Sequence, residues 1–102
     1  MTGAAAKSPV AVIGAGSWGT ALAMHIAKGG RTVYLWGHEP EQMRALAKDR
    51  SNEHFLPGLT FPESVQVLVE LSELPSTCRQ HLVVVPSHAF RQVLRTLLGL
   101  PA

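Results

Sequence analysis

Cysteine is almost missing from this 102-residue sequence, in which Cys78 is the only one. A lone cysteine cannot form an internal disulfide, so the chain is not a disulfide-stabilised scaffold and we expect a reducing, cytoplasmic environment. No clear helix N-terminal or cationic setting activates this thiol, and we therefore expect Cys78 to be structural rather than reactive.

Charged residues are also scarce: they make up 16% of the chain, and the formal net charge is only +2. About a quarter is usual in globular domains. The basic residues are scattered and are not interleaved with aromatic residues, which excludes the positive groove of a nucleic-acid-binding protein. The few charges instead suit strands that are covered on both faces.

Long apolar runs are absent as well. None approaches the roughly 20 residues of a membrane-spanning helix, and no apolar segment follows the start of the chain as in a secretory signal. Residues 1–9 are small and polar, and we expect them to form a disordered leader. The five histidines match no zinc-ligand spacing, and no metal site is predicted.

What the sequence does contain is an alternation of short apolar runs and helical patterns. Strands are predicted at Val10–Ile13, Thr32–Trp36, Val65–Val69 and Leu82–Val85. Helices are predicted at Ser17–Lys28, from Pro40 with Met43, Leu46 and Ala47 on its apolar face, within Ser72–Gln80, and from Phe90 to Leu98. Ser51–Glu63 is predicted to be irregular because prolines interrupt it. This order indicates the α/β class, with a parallel sheet and flanking helices over residues 10–102.

A glycine motif, GAGSWG, lies between the first predicted strand and the first predicted helix. In a dinucleotide site of the Rossmann type, Gly14 permits the tight turn, Gly16 lets a pyrophosphate approach the backbone, and Gly19 allows close packing of helix on strand. The N–H groups at the helix start then face the diphosphate. The strand before the motif and the helix after it favour a dinucleotide cofactor over a turn that binds nothing.

The end of the second predicted strand bears on the choice of cofactor. Sites selective for NAD usually place an acidic residue there to bind the ribose 2′-OH. Here His38 occupies the region and Glu39 follows it. A histidine can donate to the 2′-phosphate of NADP, so we expect NADP or both cofactors, with NADPH favoured. The alternative is that His38 only caps the following helix.

Four segments in the same order, GAGSWGTALA, LWGHEPE, NEHFLP and VVVPSHAFRQVL, resemble bacterial NAD(P)-dependent glycerol-3-phosphate dehydrogenases. The resemblance implies reduction of dihydroxyacetone phosphate to sn-glycerol 3-phosphate for phospholipid synthesis, by a homo-oligomer. It also implies cofactor contacts at Ser17, Trp18, His38 and Pro86. For Trp18, the alternative is simple packing of the first helical turn.

In that family, a further strand with a catalytic lysine and a helical substrate domain follow the segments found here. The three lysines, Lys7, Lys28 and Lys48, stand in other contexts, so no catalytic residue is assigned. We therefore expect a Rossmann-type sheet truncated before its last strands, inactive alone, with Leu82–Val85 at an aggregation-prone edge. The alternative function is a non-catalytic nucleotide-binding module or an inactive remnant.

Overall fold

The computed structural model describes residues 8–84 of the chain. Its strands are β1 (Val10–Ile13), β2 (Val33–Trp36), β3 (Ser51–Asn52), β4 (Leu56–Thr60), β5 (Val65–Leu68) and β6 (Gln80–Val83). Its helices are α1 (Ser17–Lys28) and α2 (Pro40–Asp49). Residues 1–7 of the predicted leader, the end of the last predicted strand, Pro86 and the predicted helix Phe90–Leu98 lie outside the described residues. Within 8–84, no helix is both long and apolar enough to cross a membrane.

The main sheet has four strands in the order β5-β2-β1-β6, and every neighbouring pair is parallel. Strands β2 and β5 lie on one side of β1, and β6 lies on the other side. The strand order therefore reverses between β1 and β6. Ligands of open α/β sheets bind at the carboxyl ends of strands at such a point. The α/β class and the parallel sheet are confirmed.

Two apolar clusters hold the sheet, one on each face. Helices α1 and α2 cover the first face, where the buried residues are Val12, Ala15, Ala23, Ala27, Val33, Leu35, Met43, Leu46, Phe61 and Val65. On the opposite face, Ala11, Ile13 and Cys78 are buried. Since alternate residues of β1 reach both clusters, all four of its residues are buried, as predicted for a central strand.

Helix α1 has the predicted bounds and ends at Gly29-Gly30, whose N–H groups donate to the carbonyls of Ile26 and Ala27 at 3.1 and 3.0 Å. Gly30 has a φ of +90°, a backbone conformation that favours glycine. Helix α2 begins at Pro40, as predicted, and buries Met43 and Leu46. Ala47, predicted on the same face, is exposed.

The prediction of an irregular segment at Ser51–Glu63 is wrong, because β3 and β4 form a short antiparallel hairpin there. Gly58 has a φ of +83°, and its N–H donates to the Glu53 carboxylate oxygens at 3.3 and 3.4 Å. The Glu53 carboxylate, in the turn at residues 53–55, thus bonds to the backbone of β4. The pairing register shifts between Ser51 and Asn52, so no regular alternation marks these strands in the sequence.

The prediction of a short helix within Ser72–Gln80 is also wrong. A single 3₁₀ turn spans Leu71–Glu73, and the carboxylate of Glu73 accepts the N–H groups of Val69 and Glu70 at 3.0 and 2.9 Å. The following Leu74 is extended, with ψ of 124°. Residues before proline avoid the helical region, and Pro75 therefore ends the turn.

Strand β6 begins two residues before its predicted start at Leu82. Its pairing with β1 places Gln80 opposite Val10 and Val83 opposite Ile13. Polar residues thus belong to a strand that was predicted to be wholly apolar. Among the described elements β6 pairs only with β1, and Leu82 is 39% exposed, so this strand occupies an edge position in residues 8–84.

Candidate functional site

The glycine loop, residues 14–19, runs from the buried end of β1 through the first turn of α1. Gly14 has a φ of +127°, and its N–H donates to the Trp36 carbonyl at 2.6 Å. A Cβ on Gly19 would stand only 1.7 Å from the Gly14 carbonyl oxygen. Gly14 therefore makes the turn, and Gly19 lets the helix backbone lie against it, as their spacing predicts.

Gly16 precedes α1 as its N-cap residue, and no side chain caps the helix. The first hydrogen bond of the turn runs from the Thr20 N–H to the Gly16 carbonyl at 3.0 Å. For the N–H groups of Ser17, Trp18 and Gly19, no acceptor is found among residues 8–84. The first turn also holds no acidic residue, so the positive end of the helix dipole is not neutralised there.

A cavity of about 230 Å³ opens beside this loop. Its lining residues are Gly14, Ala15, Gly16, Gly37, His38, Glu39, Gln42, Phe55 and Val84. A Cβ added at Gly16 would meet nothing within 4 Å, so this backbone borders open space. Gly37 is packed closely instead, because its Cβ would lie 3.0 Å from the Ala15 Cβ.

The Ala15 carbonyl inside the loop receives three side-chain donors. The Asn52 amide donates at 2.9 Å, and the Thr20 hydroxyl and the Gln42 amide donate at 3.3 Å. The Asn52 Nδ2 also donates to the Thr20 Oγ1 at 2.8 Å. Thr20 and Asn52 are 0% and 2% exposed, so this network lies in the interior.

The hairpin that carries Asn52 is fixed to the end of α2. Arg50 caps that helix in the left-handed conformation, with φ of 55°, and its N–H donates to the Leu46 carbonyl at 2.8 Å. Its guanidinium donates to the Pro62 carbonyl at 2.8 Å and lies over the Phe61 ring, 5.8 Å from the centroid. These contacts position Asn52, two residues further along.

Phe55 extends the same hairpin to the cavity. Its ring meets the His54 ring edge-to-face, with centroids 4.6 Å apart, and it is 39% exposed. The glycine loop and the hairpin therefore border one cavity, although they are about forty residues apart in the chain.

The segment after β2 forms the third side of the cavity. His38 is exposed and lines this cavity together with Glu39. Both also line a second, open cavity of about 490 Å³ with Pro40, Glu41 and Arg44. The N-cap residue of α2 is Glu39, and no side chain caps that helix. The alternative in which His38 caps α2 is therefore wrong.

The predicted site residues occupy different places around the loop. Gly14, Gly16 and His38 line the smaller cavity, whereas Gly19 is buried beneath Gly14. Ser17 and Trp18 are exposed on the first turn of α1 and do not line it. Because Trp18 is 75% exposed, packing does not explain it. Pro86 lies outside the described residues.

Sequence reasoning missed four residues of this site: Gly37, Gln42, Asn52 and Phe55. Asn52 and Phe55 lie in the NEHFLP segment, which carried the family resemblance without a physical role. Only one signal pointed to Asn52, a polar residue just after a helix end. Gln42 had no distinguishing neighbour in the sequence.

Cys78 does not line either cavity. Burial raises the pKa of the Cys78 thiol, an effect that its contact with the Gln80 backbone partly offsets. Cys78 is 4% exposed, so a structural role is supported. Within residues 8–84, no group of three or more histidine, cysteine or carboxylate side chains could hold a metal ion.

Comparison with known proteins identifies the family to which this chain is similar. Residues 9–102 match the family described as NAD-dependent glycerol-3-phosphate dehydrogenase N-terminus. A glycerol-3-phosphate dehydrogenase (NAD(P)+) of Vibrio campbellii (strain ATCC BAA-1116) is 53% identical over 85 residues, which are 83% of this chain and 25% of the relative. One from Actinobacillus pleuropneumoniae serotype 5b (strain L20) is 46% identical over 91 residues, 89% of this chain and 27% of the relative.

A solved structure agrees. The crystal structure of glycerol-3-phosphate dehydrogenase from Coxiella burnetii superposes with a TM-score of 0.87 and 36% sequence identity, over 94% of this chain and 30% of that one. The chain thus spans about a quarter of the length of its curated relatives. It belongs to the NAD-dependent glycerol-3-phosphate dehydrogenase family and corresponds to the amino-terminal part of its members.

Proposed function

We propose that this chain binds NAD(P) in the smaller cavity, as the cofactor-binding part of an sn-glycerol-3-phosphate dehydrogenase. The observation that carries the proposal is Gly16, which borders open space at the start of a helix that no side chain caps. Such a helix start attracts a diphosphate through its N–H groups and its dipole. The family's description names NAD, which agrees with this ligand class.

The residues present fit a dinucleotide. Gly14 and Gly16 would leave room for the diphosphate, and the first-turn N–H groups of Ser17 and Trp18 would donate to it. Phe55 and Gln42 would border the bound molecule. Pro86 is proposed as a further contact on the strength of the family resemblance. When bound, the nicotinamide supplies the hydride for reduction.

For the choice between cofactors, we infer a preference for NADPH. His38 borders both cavities, and Arg44 lines the larger one. Both side chains can donate to a 2′-phosphate. Glu39 lines the same space and can accept from the 2′-OH of NAD, so both cofactors should bind.

Calorimetric titration of NADPH and NADH into the chain tests both points. The wild type should bind both and favour NADPH, and His38→Ala should weaken NADPH binding while leaving NADH binding nearly unchanged. His25→Ala is the matched control, because His25 is exposed on α1 and lines neither cavity. An unchanged preference in His38→Ala removes His38 from any selective role. Absence of binding by the wild type refutes the function.

The complete activity is proposed at the level of the family. A protein with this amino-terminal part would reduce dihydroxyacetone phosphate to sn-glycerol 3-phosphate for phospholipid synthesis, as a cytoplasmic homo-oligomer. Within residues 8–84, no lysine or arginine lines the smaller cavity, so a substrate phosphate has no cationic partner there. The second candidate function is nucleotide binding without turnover for this chain alone.

An assay that follows NADPH oxidation with dihydroxyacetone phosphate separates the two candidates. We expect binding but no turnover from the 102-residue chain, as for a nucleotide-binding module or remnant. Turnover by the chain alone contradicts that expectation and assigns it the whole reaction. A chain that neither binds nor turns over contradicts both.

A further inference from the structure

The buried amide of Asn52 is the one polar side chain that reaches the glycine loop from the hairpin. We propose that Asn52 is a positioning residue for the cofactor loop, which it sets by donating to the Ala15 carbonyl and the Thr20 hydroxyl. The inference deepens the proposed function and rests on it for the identity of the ligand. Asn52 itself does not line the cavity.

The two hydrogens of the Asn52 Nδ2 account for both bonds. One is donated to the Ala15 carbonyl at 2.9 Å and the other to the Thr20 Oγ1 at 2.8 Å. The Thr20 hydroxyl donates in turn to the Ala15 carbonyl at 3.3 Å. Buried polar groups stabilise a single geometry when all their partners are present. The network therefore holds the direction of one carbonyl in the loop.

That carbonyl decides where the next N–H points. The Ala15–Gly16 peptide is trans, since none of the described peptide bonds is cis, and in a trans peptide the C=O and the following N–H point in opposite directions. With the Ala15 oxygen held against the buried amide, the Gly16 N–H is directed away from it. On Gly16, an added side chain would meet only open space. The network thus presents a backbone donor to an anionic ligand.

The position of Asn52 is itself tightly determined. Its backbone follows the left-handed cap of α2 at Arg50, and the Arg50 carbonyl accepts the Phe61 N–H at 2.6 Å. The donors therefore come from a segment that is packed against α2, not from a free loop. Phe55, three residues beyond Asn52, lines the cavity. The packing against α2 consequently positions both Asn52, which bonds to the glycine loop, and Phe55, which lines the cavity.

The side chain at position 52 must donate hydrogen bonds to keep its contacts with the Ala15 carbonyl and the Thr20 hydroxyl. Aspartate has the shape of asparagine but, when ionised, only accepts hydrogen bonds. In Asn52→Asp, a carboxylate oxygen would face the Ala15 carbonyl, and the peptide should reorient. Thr20→Val removes the shared hydroxyl and keeps the side-chain shape, whereas Thr20→Ser keeps the hydroxyl. Ser64→Ala is the matched control: Ser64 donates to the Ala27 carbonyl at 3.3 Å, at the other end of α1.

The experiment compares these variants of the full chain by two measurements. Calorimetric titration gives the NADPH dissociation constant, and NMR of the ligand-free protein gives the amide shift and hydrogen exchange of Gly16. We expect Asn52→Asp to weaken NADPH binding about tenfold, or about 1.4 kcal/mol, and Thr20→Val about threefold, a smaller loss because one of the three donors disappears. Thr20→Ser and Ser64→Ala should stay within about twofold. The Gly16 amide should change in Asn52→Asp and not in Ser64→Ala.

The outcomes separate the inference from the proposed function. Binding of NADPH by Asn52→Asp as tight as by Ser64→Ala overturns the inference and leaves the function intact. If the wild type does not bind NADPH, the proposed function fails, and the Gly16 amide alone decides the role of Asn52. An unchanged Gly16 amide in Asn52→Asp overturns that role. If Asn52→Asp does not fold, Thr20→Val against Thr20→Ser makes the same decision.

Discussion

The glycine loop and the β3–β4 hairpin border one cavity, but they are built in different ways. The loop acts through backbone: Gly19 lets α1 approach the Gly14 carbonyl, and Gly16 leaves space. The hairpin acts through side chains: Asn52 donates into the loop and Phe55 lines the cavity. The proposed binding depends on the absence of side chains in one region and on the presence of particular ones in the other.

This difference decides how each region responds to substitution. A Cβ added at Gly19 would meet backbone, and one added at Gly16 would enter the space proposed for the ligand, so even alanine should be harmful at these two positions. In the hairpin, truncation of an exposed side chain should leave the fold intact and change only what the cavity binds.

Gly19→Ala should be the most damaging change. Its Cβ would lie 1.7 Å from the Gly14 oxygen, so α1 must move away from β1. We expect a loss of about 3 kcal/mol or more in the free energy of unfolding, a large part of the total for a domain of this size. Urea denaturation followed by circular dichroism measures it. A free energy of unfolding equal to that of the wild type would show that the fold does not depend on the close packing of α1 against Gly14.

Gly16→Ala should keep the fold and reduce binding. Gly16 has a φ of −77°, which alanine adopts freely, so the unfolding free energy should change by less than about 1 kcal/mol. The new methyl group would stand where the ligand approaches, and NADPH binding should weaken about tenfold or more. Calorimetry beside the urea measurement separates the two effects. Full retention of affinity would place the diphosphate elsewhere.

Phe55→Ala should have a smaller effect on binding and almost none on folding. Loss of an apolar contact of about 1 kcal/mol corresponds to about fivefold weaker NADPH binding. Leu59→Ala is the matched control, since Leu59 lies on the same hairpin, is 47% exposed and does not line the cavity. Equal dissociation constants for the two variants would show that the hairpin contributes no contact of its own.

The smallest effect is expected outside both regions, at Cys78. Because burial raises the thiol pKa in the folded chain, the unfolded thiol, with a pKa of about 8.5, loses its proton first as pH rises. The contribution of Cys78 to the free energy of unfolding is therefore fully present below that pH. Above it, the contribution declines by at most about 1.4 kcal/mol per pH unit. Unfolding measured between pH 7 and 10 should show this decline in the wild type, with a shallower slope in Cys78→Ala.

The same contrast explains what could be predicted from the sequence. Gly14, Gly16 and Gly19 lie within six residues, and each has a local physical role, so the loop could be located and its geometry anticipated. Asn52 acts on Ala15 across 37 positions of sequence. Nothing in its own neighbourhood reveals that partner, and its role could emerge only from tertiary structure.

The errors of the secondary-structure prediction have similar causes. The hairpin is not marked in the sequence because its pairing register is irregular and because Glu53, in its turn, bonds to the Gly58 backbone through a side chain. The 3₁₀ turn at Leu71–Glu73 replaced a helix because Pro75 follows it so closely. Strand β6 began at Gln80 because pairing with β1, rather than apolar character, determined its length.

The exposed indole of Trp18 makes the loop observable by fluorescence. The chain has two tryptophans, and the other, Trp36, is half-buried, with its indole N–H donated to the Val69 carbonyl at 3.3 Å. Replacement of Trp36 by phenylalanine would leave one emitter, on the first turn of α1, where 75% of its surface meets water. Its emission should be red-shifted and open to iodide quenching. Trp18 is thus an intrinsic fluorescent probe within the glycine loop itself.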